Sequence, residues 1–205
     1  MTLDVKPTRS ELIKLKRRIN LAESGHKLLK KKRDGLILEF FRVLKNARTL
    51  RRELNEKYLL TKEKMTAAIA LDGMAEIKSA AMALKERPAV DLEVKNIMGV
   101  KVPEIKSNAR KKSLFERGYG LISMSLRIEE MIDAYEDLLI SVIRAAEVET
   151  TLRKLLMEIE KTKRRVNALE FAVIPKLKSQ AEFITFRLEE MERENIFRMK
   201  RIKEK

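Results

Sequence analysis

Thirteen positions between Leu12 and Leu54 recur at alternating steps of three and four residues. They are Leu12, Leu15, Ile19, Ala22, His26, Leu29, Arg33, Leu36, Phe40, Val43, Ala47, Leu50 and Leu54, and eleven of the thirteen are apolar. A helix turns once in 3.6 residues, so this spacing draws one narrow apolar stripe along a helix about 80–90 Å long. The remaining surface is polar. Such a helix cannot bury its stripe against itself and needs a partner helix along its length. Its start is marked by Thr8-Arg9-Ser10-Glu11 after Pro7, a capping box in which the Thr8 hydroxyl and the Glu11 backbone N–H can pair.

The partner lies late in the same chain. Leu121, Ile128, Ile132, Tyr135, Leu139, Val142 and Ala146 mark one helical face, continued by Leu152, Leu155, Ile159, Val166, Leu169, Val173, Leu177, Ile184, Leu188 and Met191 with small phase shifts. That run would be about 120 Å long as one helix. Between the two, MAEIKSAAMALKE (74–86) reads as a short helix stopped by Pro88. Val90, Leu92 and Val94 then alternate with charged residues, and Val100 and Val102 follow a loop containing Gly99. Period-two alternation around a glycine turn predicts a β-hairpin, with Pro103 at its end or on an edge. Helix resumes near Ser113, where Ser113 and Glu116 have capping-box spacing, and Gly118 and Gly120 form a joint.

The expected fold is therefore all-α: a long antiparallel two-helix coiled-coil hairpin within a single elongated domain, 1–205. Residues 8–70 form the N-terminal coiled-coil helix and 121–200 the C-terminal one. Short helices and the hairpin at about 90–102 occupy 74–118, near the turn. The expected core is Leu12, Leu15, Ile19, Leu29, Leu36, Phe40, Leu50, Val166, Leu169, Val173, Leu177, Ile184 and Leu188.

Several chemistries are excluded by composition. The chain has no cysteine, so disulfides, thiolate metal sites and cysteine nucleophiles are impossible. Its one histidine, His26, sits at a core heptad position and reads as a packed side chain rather than a metal ligand. No phosphate-binding or dinucleotide glycine motif is present, so neither an enzyme nor a cofactor is expected. There is no apolar leader in MTLDVKPTRSEL and no apolar run long enough to cross a membrane.

Charge is distributed unevenly. Residues 1–56 carry 16 Lys/Arg against 7 Asp/Glu, net +9; residues 161–205 carry 13 against 7, net +6; the middle is balanced. Paired termini would make one basic end. The segment KTKRRVNALEFAVIPK (161–176) adds a basic run and Pro175 to an apolar pattern that continues through both. Pro175 removes a helix hydrogen bond, and the unbroken spacing favours a helix bent there over one that stops. The runs Lys30-Lys31-Lys32-Arg33 and Lys161 to Arg165 could meet phosphates, but no aromatic is interleaved with them. A basic coiled-coil nucleic-acid binder and a prefoldin-like chaperone are the competing readings.

Three blocks decide between these: TRSELIKLKRRINLAESGHKLLKKKRDGL near the start, KRRVNALEFAVIPKL in the late helix and FRLEEMERENIFRMKRIK near the end. Together they make the chain resemble the D subunits of A-type and V-type rotary ATPases over essentially its whole length. The resemblance implies a non-catalytic central-stalk rotor subunit of a complex on the cytoplasmic face of a membrane. It implies A and B subunits of the catalytic hexamer around the paired termini, and the small F subunit and the C/d subunit at the other end. Neither direct nucleic-acid binding nor direct membrane insertion is implied. Torque would pass between the hexamer and a ring that carries H⁺ or Na⁺. On this reading Arg9, Lys30, Lys31, Lys32, Arg33, Arg164, Arg165, Arg193, Arg198, Lys200 and Arg201 are the candidate hexamer-facing contacts. The hairpin residues Val90, Leu92, Val94, Gly99, Val100 and Val102 would serve docking or modulate hydrolysis, and Pro175 would be the bend.

Overall fold

The computed structural model describes residues 6–83, 89–112, 117 and 125–204. The expected second cap at Ser113 and Glu116, the joint at Gly118 and Gly120, and Leu121 lie outside the described residues. Helix α1 spans Arg9–Leu71, α2 Met74–Ala83, α3 Leu126–Ala168 and α4 Ile174–Lys203; a single π-turn, Leu169–Val173, joins the last two. Strands β1 (Val90–Ile97) and β2 (Val100–Ser107) form the one described sheet. The fold is all-α with a small hairpin, and the C-terminal helix packs against the N-terminal one. The chain divides into two compact units, residues 1–36 with 158–205 and residues 37–157.

The first unit is a helix pair. Thr8 caps α1, its Oγ1 accepting the Glu11 N–H at 3.3 Å. Leu15, Ala181 and Ile184 form the buried core, with Leu12, Ile19, Leu177, Phe183 and Leu188 packed around it. Leu36, Thr162 and Val166 are buried elsewhere in this unit. Side-chain pairs descend one helix as they climb the other: Arg9 with Glu192, Glu23 with Lys178, His26 with Glu170, Lys32 with Glu158. The helices are therefore antiparallel. Exposed pairs contribute about 0–1 kcal/mol each, so they set register more than they stabilise.

In the second unit α1 ends where Gly73, at φ 88°, takes the left-handed turn and lets α2 fold back. A Cβ at Gly73 would meet nothing within 4 Å, so the glycine serves φ and not space. Ala68 and Ala80 allow close approach, and with Ile128 and Met131 they form this unit's core, flanked by Met65, Ile77 and Ile132. Thr61 is buried between α1 and α3; its hydroxyl lies 2.7 Å from Lys57 O and 3.3 Å from Ala134 O.

The hairpin turns on Met98-Gly99 alone, both with positive φ (49° and 86°), as a two-residue type I′ turn requires. Asn96 Oδ1 accepts the Gly99 N–H at 2.9 Å and steadies it. β2 runs through Pro103 to Ser107, so the expected hairpin end at about 102 is corrected outward. Pro103 faces Val94, and neither strand of a two-stranded sheet needs its missing N–H on the open edge. Each pair sums to an odd number (Ile97 with Val100, Lys95 with Val102), so even residues of β1 share a face with odd residues of β2. Val100 and Val102 are buried, whereas Val90, Leu92 and Val94 lie exposed on the opposite face.

Ile184→Ala should lower stability by about 2–5 kcal/mol in urea unfolding with little change of slope. Leu28→Ala, at an exposed position of α1, should change it by less than about 0.5 kcal/mol.

Candidate functional site

No described residues assemble a metal-ligating cluster. His26 Nε2 instead lies 3.5 Å from Glu170 Oε2, on a side chain that is largely covered. What the chain presents is surface: cations in the first unit and apolar side chains in both.

The candidate cations separate into two groups. Arg9 is tied to Glu192, Lys32 to Glu158 at 3.5 Å, Arg33 to Asp34 at 2.8 Å and Arg198 to Glu194 at 3.5 Å. Lys30, Lys31, Arg164, Arg165, Arg193, Lys200 and Arg201 are exposed and carry no ion pair among the described residues. The reason lies in the helix phase. Thr162 and Val166 are the buried members of KTKRRV, four residues apart on one face, which turns Lys161, Lys163, Arg164 and Arg165 to solvent. Thr162 falls between Ile159 and Val166 at heptad spacing, the sequence signal that identifies it as a core position.

The core candidates also separate. Leu15, Leu36, Val166 and Ile184 are buried; Leu12, Ile19, Leu29, Phe40, Leu50, Leu169, Leu177 and Leu188 are partly buried. Val173 is 40% exposed. It ends the π-turn, none of whose residues is fully buried. Pro175 follows in the first turn of α4, so the N–H it lacks is missing directly after the π-turn. There Ile174 N–H reaches back five residues to Leu169 O. The break at Pro175 is thus absorbed by a π-turn rather than by a helix stop.

Beyond Glu192 every side chain of the C-terminal helix through Glu204 is exposed, including Ile196, Phe197, Met199 and Ile202 between the cations. In the second unit a groove of about 380 Å³ runs between α2 and α3. Ile77, Ala80, Met131, Tyr135, Leu139 and Val142 line it and make it almost wholly apolar.

Sequence reasoning missed Arg117. Its guanidinium is buried against Glu129, Asp133 and Glu136, three carboxylates spaced along one face of α3. Lys111 adds a bond to Asp137 at 2.6 Å, which raises the Lys111 pKa above its usual 10.5, and Lys112 N–H donates to Glu136. This clasp fixes the segment after β2 to α3. No local pattern announces it, because acidic residues at helical spacing otherwise read as a solvated face.

Among the described residues, long packed helices, a short helix folded back on them and a two-stranded hairpin define the class of protein: a long-helix protein that presents surface. The family model for the D subunit of ATP synthase matches residues 11–204. An A-type ATP synthase D subunit from Methanosarcina mazei is 59% identical over 200 residues, 98% of this chain and 96% of that protein. Its counterpart in Archaeoglobus fulgidus is 51% identical over 203 residues, 98% and 97% of the two chains. That in Haloarcula marismortui is 52% identical over 205 residues, 100% and 89%. The chain belongs to the family of ATP synthase D subunits. As such it is a structural, non-catalytic part of the synthase.

Two electrostatic outcomes follow from the geometry. Arg117→Met should cost about 3 kcal/mol in chemical unfolding, because it strands carboxylates that the guanidinium neutralises. The second concerns Glu23, whose carboxyl is held below its usual 4.5 first by the hydrogen bond from Lys178 and then by that ammonium's charge. A lowered folded pKa stabilises above the unfolded value, and the gain is lost as pH falls below 4.5 through the folded one. Lys178→Met should flatten this acid-side loss, read as a smaller fall in Tm between neutral pH and about pH 3.

Proposed function

We propose that the chain is the central-stalk rotor subunit of an A-type ATP synthase, transmitting torque between the catalytic hexamer and the membrane ring that carries H⁺ or Na⁺. Full-length similarity to the D subunits of A-type synthases supports the complex. The observation that carries the rotor reading is the bare end of α4, where exposed apolar side chains stand beside Arg193, Lys200 and Arg201, cations without an ion pair among the described residues. A side chain such as Phe197, 70% exposed, is left for a partner to cover.

The A and B subunits of the hexamer surround this end and the exposed cations Lys30, Lys31, Arg164 and Arg165. Acidic or carbonyl-lined loops suit such a surface, since exposed charge pairs guide register while each holds only weakly. A rotor asymmetric about its axis meets each A/B interface with a different face. Rotation thereby shifts which interface is favoured, a coupling through differential contact. The small F subunit and its C/d neighbour bind the second unit. The apolar α2–α3 groove and the hairpin face of Val90, Leu92 and Val94 supply uncovered surface for them. No described helix is long and apolar enough to cross a membrane. The chain sits at the cytoplasmic face through its partners.

Reversal of both charges, Arg164→Glu with Arg165→Glu, should leave helix content intact and impair hexamer association and ATP-driven rotation. Both positions are exposed, so the fold tolerates the change. Unchanged assembly and unchanged rotation in a reconstituted complex would refute the role assigned to them.

A further inference from the structure

We infer that the helix pair of the first unit carries a compliant joint at the level of Gly25 and the π-turn, where bending and twisting concentrate. Four observations converge there.

The core thins out. Along α1 no side chain between Leu15 and Leu36 is buried, and along the C-terminal helix none between Val166 and Ala181 is. Tight packing flanks the gap, with Leu15, Ala181 and Ile184 on one side and Leu36, Thr162 and Val166 on the other. Within the gap even Phe171 is 75% exposed.

The hydrogen-bond ladder loosens in one helix. The five residues Leu169–Val173 adopt π geometry, and Pro175 then offers no N–H to the preceding turn. Sharp deviations of a helix concentrate at prolines and π-turns.

The other helix is weakened at the same height. Gly25 lies inside α1, and a Cβ there would meet nothing within 4 Å. Its φ is the ordinary helical one, so neither space nor conformation calls for glycine. A glycine in a helix interior costs about 0.5–1 kcal/mol relative to alanine.

The two weaknesses meet across the pair. The neighbour of Gly25, His26, brings Nε2 within 3.5 Å of Glu170 Oε2, the second residue of the π-turn. A flaw in one helix alone would be splinted by an intact neighbour. Here neither helix splints the other, and the pair can flex without opening the cores that flank the gap. The joint is a property of the chain itself and stands whatever its partners are.

Hydrogen exchange on the full chain tests it. The amides of residues 22–28 and 170–174 should exchange at least about tenfold faster than those of 12–19 and 177–188, as locally less stable segments do. Gly25→Ala, which has room for its methyl group, should slow exchange around position 25 by roughly fivefold. Because the chain has no cysteine, spin labels at Arg164→Cys and Glu182→Cys report on the joint alone. Their distance distribution should narrow when Gly25→Ala and Pro175→Ala are combined. Equal protection along the whole pair, or a distribution that the two substitutions leave unchanged, would overturn the joint.

Discussion

Everything in this chain rests on one constraint: a helix with a narrow apolar stripe has no fold of its own. Over α1 the buried side chains come in separated places, Leu15, Leu36, Thr61 and Ala68. Each large buried aliphatic contributes about 1.5–3 kcal/mol relative to exposure. Pairing energy is therefore concentrated in islands rather than spread evenly. Between islands, ion pairs such as Glu23 with Lys178 hold register while contributing little to stability. This division of labour explains how a stretch as loosely packed as that around Gly25 can persist. The islands on either side fix the helices, and the gap between them carries little of the load.

The second unit answers the same constraint by other means. Small residues, Ala68 and Ala80, let α2 lie close, and the carboxylates of α3 hold the segment after the hairpin through Arg117 and Lys111. A guanidinium held by three carboxylates specifies position without apolar area. The apolar area is left over instead. Tyr135, Leu139 and Val142 remain partly uncovered in the α2–α3 groove, as do Leu92 and Val94 on the hairpin. An interior that relies on small residues and ion pairs leaves its larger side chains outside.

Long periodic elements were legible from residues alone, because thirteen positions from Leu12 to Leu54 leave one phase for the helix. The hairpin was legible in kind but not in extent. Two-residue turns change strand parity, and neither the valine pattern nor Pro103 reveals which residues the turn consumes. The π-turn did leave a trace. Leu169, Val173, Leu177 and Ala181 follow one another at steps of four, three fours in succession where a heptad alternates three and four. One extra residue is what a π-turn accommodates, but a phase slip alone does not distinguish it from a bend at Pro175. Arg117 was not legible at all, since its partners come from α3 and the contact is tertiary. As for function, the charge pattern allowed phosphate or protein partners alike. The family blocks, not the charge, separated them.

The end of α4 shows how charge and apolar area together narrow the choice of partner. Ile196, Phe197, Met199 and Ile202 would drive a neutral helix to pair with its own kind. Arg193, Arg198, Lys200, Arg201 and Lys203 stand on the same stretch, against Glu192, Glu194 and Glu204. A parallel second copy would place like charges against one another, which opposes self-association most strongly at low salt. The same repulsion becomes attraction toward a surface that offers carboxylates or carbonyl oxygens beside an apolar wall. Such a surface suits a partner of opposite polarity better than a second copy of itself. In the rotor reading that partner is the collar of A and B subunits. There, a grip made of many weak contacts can be released on one face as it forms on the next.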